Sequence, residues 1–304
     1  MGKVRSWTAS FRRALSTIHG TDMRLDEIKM NQGQLLAALS DGKASKRLAD
    51  YEFRIFSQWG EDGIIQHLTK VIDIKNKAFI EFGVQDFSES NCRYLLMKDD
   101  WDGFVIDGSS ENMTRLRESY YYYKHNLVAI DAFITKDNIN ELLARSGFSE
   151  DIGILSVDLD GNDYYILQAI KNFQPSILIC EYNAVFGPTR KISVPYDPEF
   201  IRSRKHHSHL YYGASLGAMA HLANLKGYSL VGINSNANNA FFVRNDLLND
   251  KVEVVTPEEA FSPSKFRESR DESGNLTYSS GEDRLKRIEG MPVWNVITGV
   301  TETL

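Results

Sequence analysis

A Rossmann-like α/β fold is what this sequence predicts: a mostly parallel sheet, helices on both faces and an antiparallel last strand. Three observations point there. Short apolar runs recur along the middle of the chain, and each stops at an acid: Ala78–Ile80 at Glu81, Gly103–Ile106 at Asp107, Leu127–Ile130 at Asp131, Ile152–Val157 at Asp158. Helix-patterned segments separate the runs, which is the rhythm of βαβ units. Buried parallel strands read as continuous apolar runs, and such sheets bind ligands at the carboxyl ends of their strands. Acids gathered there describe a site.

Composition narrows the class. At 304 residues, 42% hydrophobic and 25% charged, the chain suffices for one large soluble domain with appendages. A formal net charge of −6 argues against nucleic acid as a partner. Cys92 and Cys180, one in a helix and one in a buried strand, read as packed thiols rather than a disulfide or metal pair. No apolar run approaches a membrane span and no signal pattern opens the chain, so a cytoplasmic location is expected.

Residues 1–45 form a helical segment ahead of the main domain. Trp7, Phe11, Leu15 and Ile18 make a stripe among Lys3, Arg5, Arg12 and Arg13. Leu25, Ile28, Leu35 and Leu39 fit heptad a and d positions, interrupted by Gln32 and by a break expected near Gly20. An oligomerising helix would make a homo-oligomer. A basic amphipathic helix would lie on the inner membrane face. The third reading is a helix packed on its own domain.

The main domain spans 46–249. Phe56–Gly63 leads into a helix, Ile64–Ile72, with Ser57 or Asp62 as its cap. After the first strand come a helix at Ser90–Lys98, the second strand, and a helix at Glu111–Glu118 ending in tyrosines 120–123. The third strand ends at Asp131, before a helix at Lys136–Ser146. A fourth strand, Ile152–Asp160, precedes a helix at Tyr164–Lys171, and a fifth, Pro175–Ile179, runs into Cys180-Glu181-Tyr182-Asn183. From 187 to 212 periodicity disappears, as in a lid or substrate wall. A helix, Ser215–Lys226, and strands Tyr228–Ile233 and Ala240–Arg244 close the sheet. Residues 250–304 are polar except for Val293–Ile297, and read as an extension packed on the core.

The first turn indicates the ligand. A diphosphate needs G-x-G-x-x-G so that backbone can approach it. Gly83-Val84-Gln85-Asp86-Phe87-Ser88 has one glycine and acids on either side. S-adenosylmethionine (SAM) carries no phosphate and two positive groups, which suit such a turn, and Asp107 is placed to accept hydrogen bonds from a ribose diol. EFGVQDFSESN followed by GFVIDGS resembles class I SAM-dependent methyltransferases, most of all their FkbM-type branch. The SQ-x-GED sequence resembles the segment that closes over the SAM methionine there. The resemblance covers roughly residues 50–245. It implies a SAM-dependent O-methyltransferase acting on a sugar or glycan hydroxyl. The cofactor-binding set is then Gln58, Glu81, Gly83, Ser90, Asp107, Gly108, Ser109, Asp131, Ala132 and Asp158.

Methyl transfer to a hydroxyl needs in-line geometry and a way to deal with its proton. Asp158 and Asp160 are the catalytic candidates, with His209 in the 187–212 segment as a second base. Asp158, Glu181 and Asn183 form an all-oxygen set suited to Mg²⁺ or another divalent cation. Against it, Asp160, Asn162 and Asp163 suit the N-cap of the following helix, and HHSH suits a solvated loop. Two other functions compete: a non-catalytic nucleotide- or SAM-binding scaffold assembled through the N-terminal helix, and an NAD-dependent oxidoreductase, which the missing glycines disfavour.

Overall fold

The structure, a computed structural model, describes the backbone of residues 2–304 and the side chains of residues 20–304. Helix α1 (Gly2–Ser40) is continuous, so the break expected near Gly20 does not occur. One glycine costs a helix only about 1 kcal/mol. The stripe Trp7, Phe11, Leu15, Ile18 lies outside the described side chains. On the inner face, Asp26 makes a buried ion pair with Arg93 at 2.5 Å and accepts from the Tyr120 hydroxyl at 2.7 Å. Gly33 lies on the Tyr94 ring, where a Cβ would come within 2.5 Å of the hydroxyl. Met30, Leu36 and Ala37 pack on Phe53, Ile55, Phe56 and Tyr94.

The chain then forms α2 (Glu61–Val71), β1 (Ala78–Phe82), α3 (Arg93–Asp99), β2 (Asp102–Asp107), α4 (Ser110–Glu118), β3 (Leu127–Asp131), α5 (Ile139–Ala144), β4 (Ile154–Val157), α6 (Asp163–Ala169) and β5 (Ile177–Glu181). It continues through β6 (Ile192–Ser193), α7 (Arg202–Lys205), α8 (Leu216–Leu225), β7 (Tyr228–Ile233) and β8 (Asn239–Arg244). Last come α9 (Pro257–Ala260), α10 (Glu282–Lys286), β9 (Pro292–Asn295) and β10 (Val300–Thr303).

Seven strands order as β3-β2-β1-β4-β5-β8-β7. The first five are parallel, and β8 runs antiparallel to both neighbours. The fold is the Rossmann-like one expected. Successive residues of each strand feed opposite cores. Ile80, Ile106, Leu155 and Val157 pack with the helices α5, α6 and α8. Phe79, Val105, Ile154 and Ile179 pack with α2, α3 and α4. Winding outward from β1 to β3 and then returning to β4 opens a crevice at the carboxyl ends of β1 and β4, where such sheets bind ligands.

A second sheet, β10-β9-β6, joins the 187–212 segment to the end of the chain. The hairpin β9–β10 pairs antiparallel with β6, over a cluster that includes Phe200, Tyr211, Tyr212 and Val293. Both cysteines are buried free thiols. Among the described residues no helix is long and apolar enough to cross a membrane.

Candidate functional site

The carboxyl edge of β1, β2, β4 and β5 opens into a cleft of about 420 Å³. Gly83 leaves β1 with φ at +70°, and a Cβ there would lie 1.8 Å from the Asp158 carbonyl oxygen. Only glycine lets the β1 and β4 ends come this close. Asp107 then laces the turns together, accepting from Gln85 N and Ser109 N at 2.8 Å each. Each of its oxygens keeps a second lone pair, and the residue lines the cleft with Gly83, Gly108, Ala132 and Phe133.

Glu81 is buried at the end of β1. It accepts from the Ser90 hydroxyl at 2.6 Å, Asn91 N at 2.8 Å and Cys92 N at 3.1 Å, and burial pushes its carboxyl above the usual range. Both Glu81 and Ser90 border the cleft.

Two expected cofactor residues are not in its lining. The Ser109 hydroxyl caps α4 by accepting from Asn112 N. Asp131 is held by Arg117 at 2.8 Å and by the Ser110 hydroxyl at 3.0 Å, on the outer edge of the sheet.

The Ser57–Asp62 segment is pinned by its own acids. Asp62 accepts from the backbone N–H groups of Ile55, Phe56 and Ser57 and from the Ser57 hydroxyl, all within 2.8 Å. It ties down the preceding loop rather than capping its own helix, and burial pushes its carboxyl up to about 6. Ser57 is the partial cap, its Oγ accepting from Asp62 N at 3.1 Å. Glu61 accepts from Trp59 N and Gly60 N, and from the Asn234 and Asn239 amides at 2.7 and 3.0 Å. The pinned loop presents Gln58 and Trp59 to the cleft.

At the other end, oxygens of Asp158, Asp163 and Glu181 lie within 4.8 Å of one another. Burial, and then the neighbouring acids, push the carboxyls of Asp158 and Glu181 well above the usual range. Glu181 Oε2 is buried with no hydrogen-bond partner. Asp163 is spoken for, accepting from Leu159 N at 2.7 Å and Gly161 N at 3.0 Å, so it clamps the turn before α6. Asn162, at the N-cap position, makes no side-chain cap and donates to the Asp197 carbonyl.

The expected cation set fails at Asn183. Its amide donates to the Leu210 and Tyr212 carbonyls at 2.9 Å each, and its Oδ1 accepts from Val185 N at 3.0 Å. Asn183 is also absent from the cleft lining. With Asp163 occupied and a guanidinium adjacent, the residues present do not fit a divalent cation. The orphaned Glu181 oxygen is better matched to a proton shared with Asp158.

That guanidinium belongs to Arg202, which sequence reasoning missed. It stacks on the Tyr212 ring at 3.8 Å, and donates to Asp160 at 2.9 Å and to the His209 carbonyl at 2.7 Å. Asp160 is therefore an exposed ion-pair partner at the cleft wall. His209 is corrected as well. Its imidazole lies 3.8 Å from Glu268 and borders a side depression rather than the main cleft. Ser264, Phe266 and Glu268 of the C-terminal segment complete the wall, with Phe266 edge-on to Trp59 at 5.8 Å. The polar stretch that carries them has no periodicity to announce it.

No family model and no curated protein matches the chain. Solved structures resemble it weakly. TrmK of M. capricolum, in complex with S-adenosyl-homocysteine, aligns at 12% identity and TM-score 0.34, over 59% of this chain and 65% of that one. An O-methyltransferase family protein from Burkholderia thailandensis aligns at 8% identity and TM-score 0.37, over 60% and 57%. A SAM-dependent methyltransferase from Clostridium acetobutylicum ATCC 824 aligns at 10% identity and TM-score 0.39, over 60% and 90%. The chain thus spans less than two thirds of the first two. Likeness at this level does not bear on activity.

Proposed function

We propose that this protein transfers a methyl group from SAM to a hydroxyl of a sugar or glycan. The observation that carries the cofactor is the ring of carboxylates, Glu81, Asp107, Asp158 and Glu181, set at four adjacent strand ends around a single-glycine turn. A phosphate-bearing nucleotide would be repelled there, and a sulfonium with an ammonium would be attracted. Asp107, its register fixed by two backbone N–H groups, is the acceptor for the ribose diol. Phe133, half exposed beside Ala132, offers an apolar surface for adenine.

The Asp158–Glu181 pair supplies the proton chemistry. Two carboxyls that share one proton cannot both ionise cheaply, so one is held as a base with a raised pKa. Asp158, at the cleft side, takes the proton from the acceptor hydroxyl as the methyl transfers, and Glu181 stays protonated behind it. The polar wall of Asn236, Asn238 and Asn239 suits a hydroxyl-rich acceptor. The sugar itself rests on the FkbM-type resemblance.

Calorimetry decides the cofactor first: SAM should bind and NAD should not. Asp107→Ala removes a charged acceptor worth about 1.5–3 kcal/mol, so SAM affinity should fall about ten- to a hundred-fold with the circular dichroism unchanged. Equal SAM affinity in the variant would refute the ribose assignment, and NAD binding would refute the methyltransferase.

A further inference from the structure

Arg202 is the one basic side chain among the described residues that line the cleft. The fold holds it in place and leaves part of it unused. Nε donates to the His209 carbonyl, Nη1 donates to Asp160, and the guanidinium lies over the Tyr212 ring. Nη2 makes no hydrogen bond among the described residues, and the side chain borders both the cleft and the depression beside it. Tyr212 also lines the cleft, and its hydroxyl is likewise without a partner there. Burial, and then the nearby Glu181 carboxyl, push that phenol up, so it stays protonated as a donor.

A second arginine stands one layer behind. Arg284, on α10, is only 5% exposed, its Nε is buried without a partner, and neither Nη makes a hydrogen bond among the described residues. Helix α10 packs on the 184–186 turn that follows β5, and the ionisable groups acting on Arg284 are Tyr212 and Arg202. A buried cation that faces another cation and no acid is costly for a fold. Costs of this kind collect at binding sites, where a ligand offsets them.

Given the methyltransferase reading, on which this rests, we propose that the acceptor sugar carries an anionic substituent, a carboxylate or a phosphate, held by Arg202 Nη2 and the Tyr212 hydroxyl. The charges of the cleft then balance. Asp158 and Glu181 share one proton and face the SAM sulfonium, Asp160 is matched by Arg202, and Glu268 is matched by Arg270 at 3.1 Å. Arg284 is the charge left over, and one negative group beside Tyr212 answers it. A neutral hydroxyl could accept from Nη2, but it would leave the buried arginine uncompensated. Asp160, which Arg202 grips, lies two residues past the base, so the anion sits close to the hydroxyl that is methylated.

Calorimetry on the full chain tests this. S-adenosyl-homocysteine is titrated first, and failure to bind it would remove the methyltransferase itself. The saturated protein is then titrated with glucuronate, glucose 1-phosphate and glucose. A charge-assisted contact is worth about ten- to a hundred-fold in affinity, so at least one anion should bind that much tighter than glucose. Which anion does so distinguishes carboxylate from phosphate. Arg202→Gln should remove most of the preference, and so should Tyr212→Phe, which keeps the ring under the guanidinium. Arg284→Met should weaken anion binding several-fold and melt at or above the wild-type temperature, since an unpaired buried charge has gone. Equal binding of all three sugars, or binding of none, would overturn the proposal, as would an anion preference that survives Arg202→Gln and Tyr212→Phe. An Arg284→Met chain that melts lower and binds the anion as before would make that arginine structural and overturn the charge balance on which the proposal stands.

Discussion

At the scale of the residue, the site turns on carboxylates whose positions look alike in sequence and whose duties differ. Glu81 and Asp163 spend their oxygens on backbone N–H groups, Asp160 pairs with Arg202, and only Asp158 and Glu181 are left facing each other. If Asp158 is the base, Asp158→Asn should lower turnover by about 10²–10⁴-fold with a small change in SAM affinity, as measured by single-turnover kinetics and calorimetry. The wild-type rate should rise with pH through its raised pKa and flatten above it. Undiminished turnover in the variant would remove the base. Glu181 makes a separate stability test. Its folded pKa is raised, so the folded state favours the proton, and the stability this brings is present in acid and lost as pH rises through that pKa. Glu181→Gln cannot ionise. Its melting temperature should match the wild type in acid and exceed it increasingly toward and beyond neutral pH. A difference that shrinks with pH would contradict the shared-proton reading.

At the scale of the element, strands were legible and the polar segments were not, for one reason. An apolar run is enough to announce a strand. The expected runs at Ala78, Gly103, Leu127 and Tyr228 became the parallel β1, β2 and β3 and the antiparallel β7 within two residues at either end. The helices were found with misplaced ends: α5 covers only Ile139–Ala144 of the expected Lys136–Ser146, while α2 starts at Glu61, ahead of the expected Ile64. A two-residue strand such as β6 has no period to detect. Acids at strand ends marked the site, but which donor each would meet depends on chain folding far away in sequence, as when Asn183 turned to Leu210 and Tyr212. The Ser57–Asp62 loop shows the difference between motif and mechanism. Asp62 stabilises it through three backbone groups and one hydroxyl, and removing that acceptor strands buried donors at about 1–3 kcal/mol each. Asp62→Ala should therefore cost about 4 kcal/mol or more in denaturant unfolding, at the upper end for one substitution, and weaken SAM binding by freeing Gln58 and Trp59. A stable variant with intact SAM affinity would mean that the loop does not need its pin.

At the scale of the molecule, two sheets divide the work. The large one holds the carboxylates expected to meet SAM, and its β1 and β2 ends are braced by the close approach of Gly83 to the Asp158 carbonyl and by the Asp107 hydrogen bonds to Gln85 N and Ser109 N. The small one ties the end of the chain to the 187–212 segment. Through β6, β9 and the apolar cluster around Val293 it sets where Phe200, Arg202 and Tyr212 stand against the cleft. Tyr211 reinforces the tie, its hydroxyl donating to the Pro292 carbonyl. If the division is real, loosening the small sheet should disturb the acceptor and spare the cofactor. Val293 is fully buried, and Val293→Ala opens a small void at about 2 kcal/mol. The wall should then move while the β1 and β2 ends stay in place. The expected result is a several-fold rise in KM for the acceptor, with the calorimetric Kd for SAM unchanged. Loss of both in parallel would mean that the two sheets act as one unit, and an unchanged KM would mean that the acceptor does not lean on this wall.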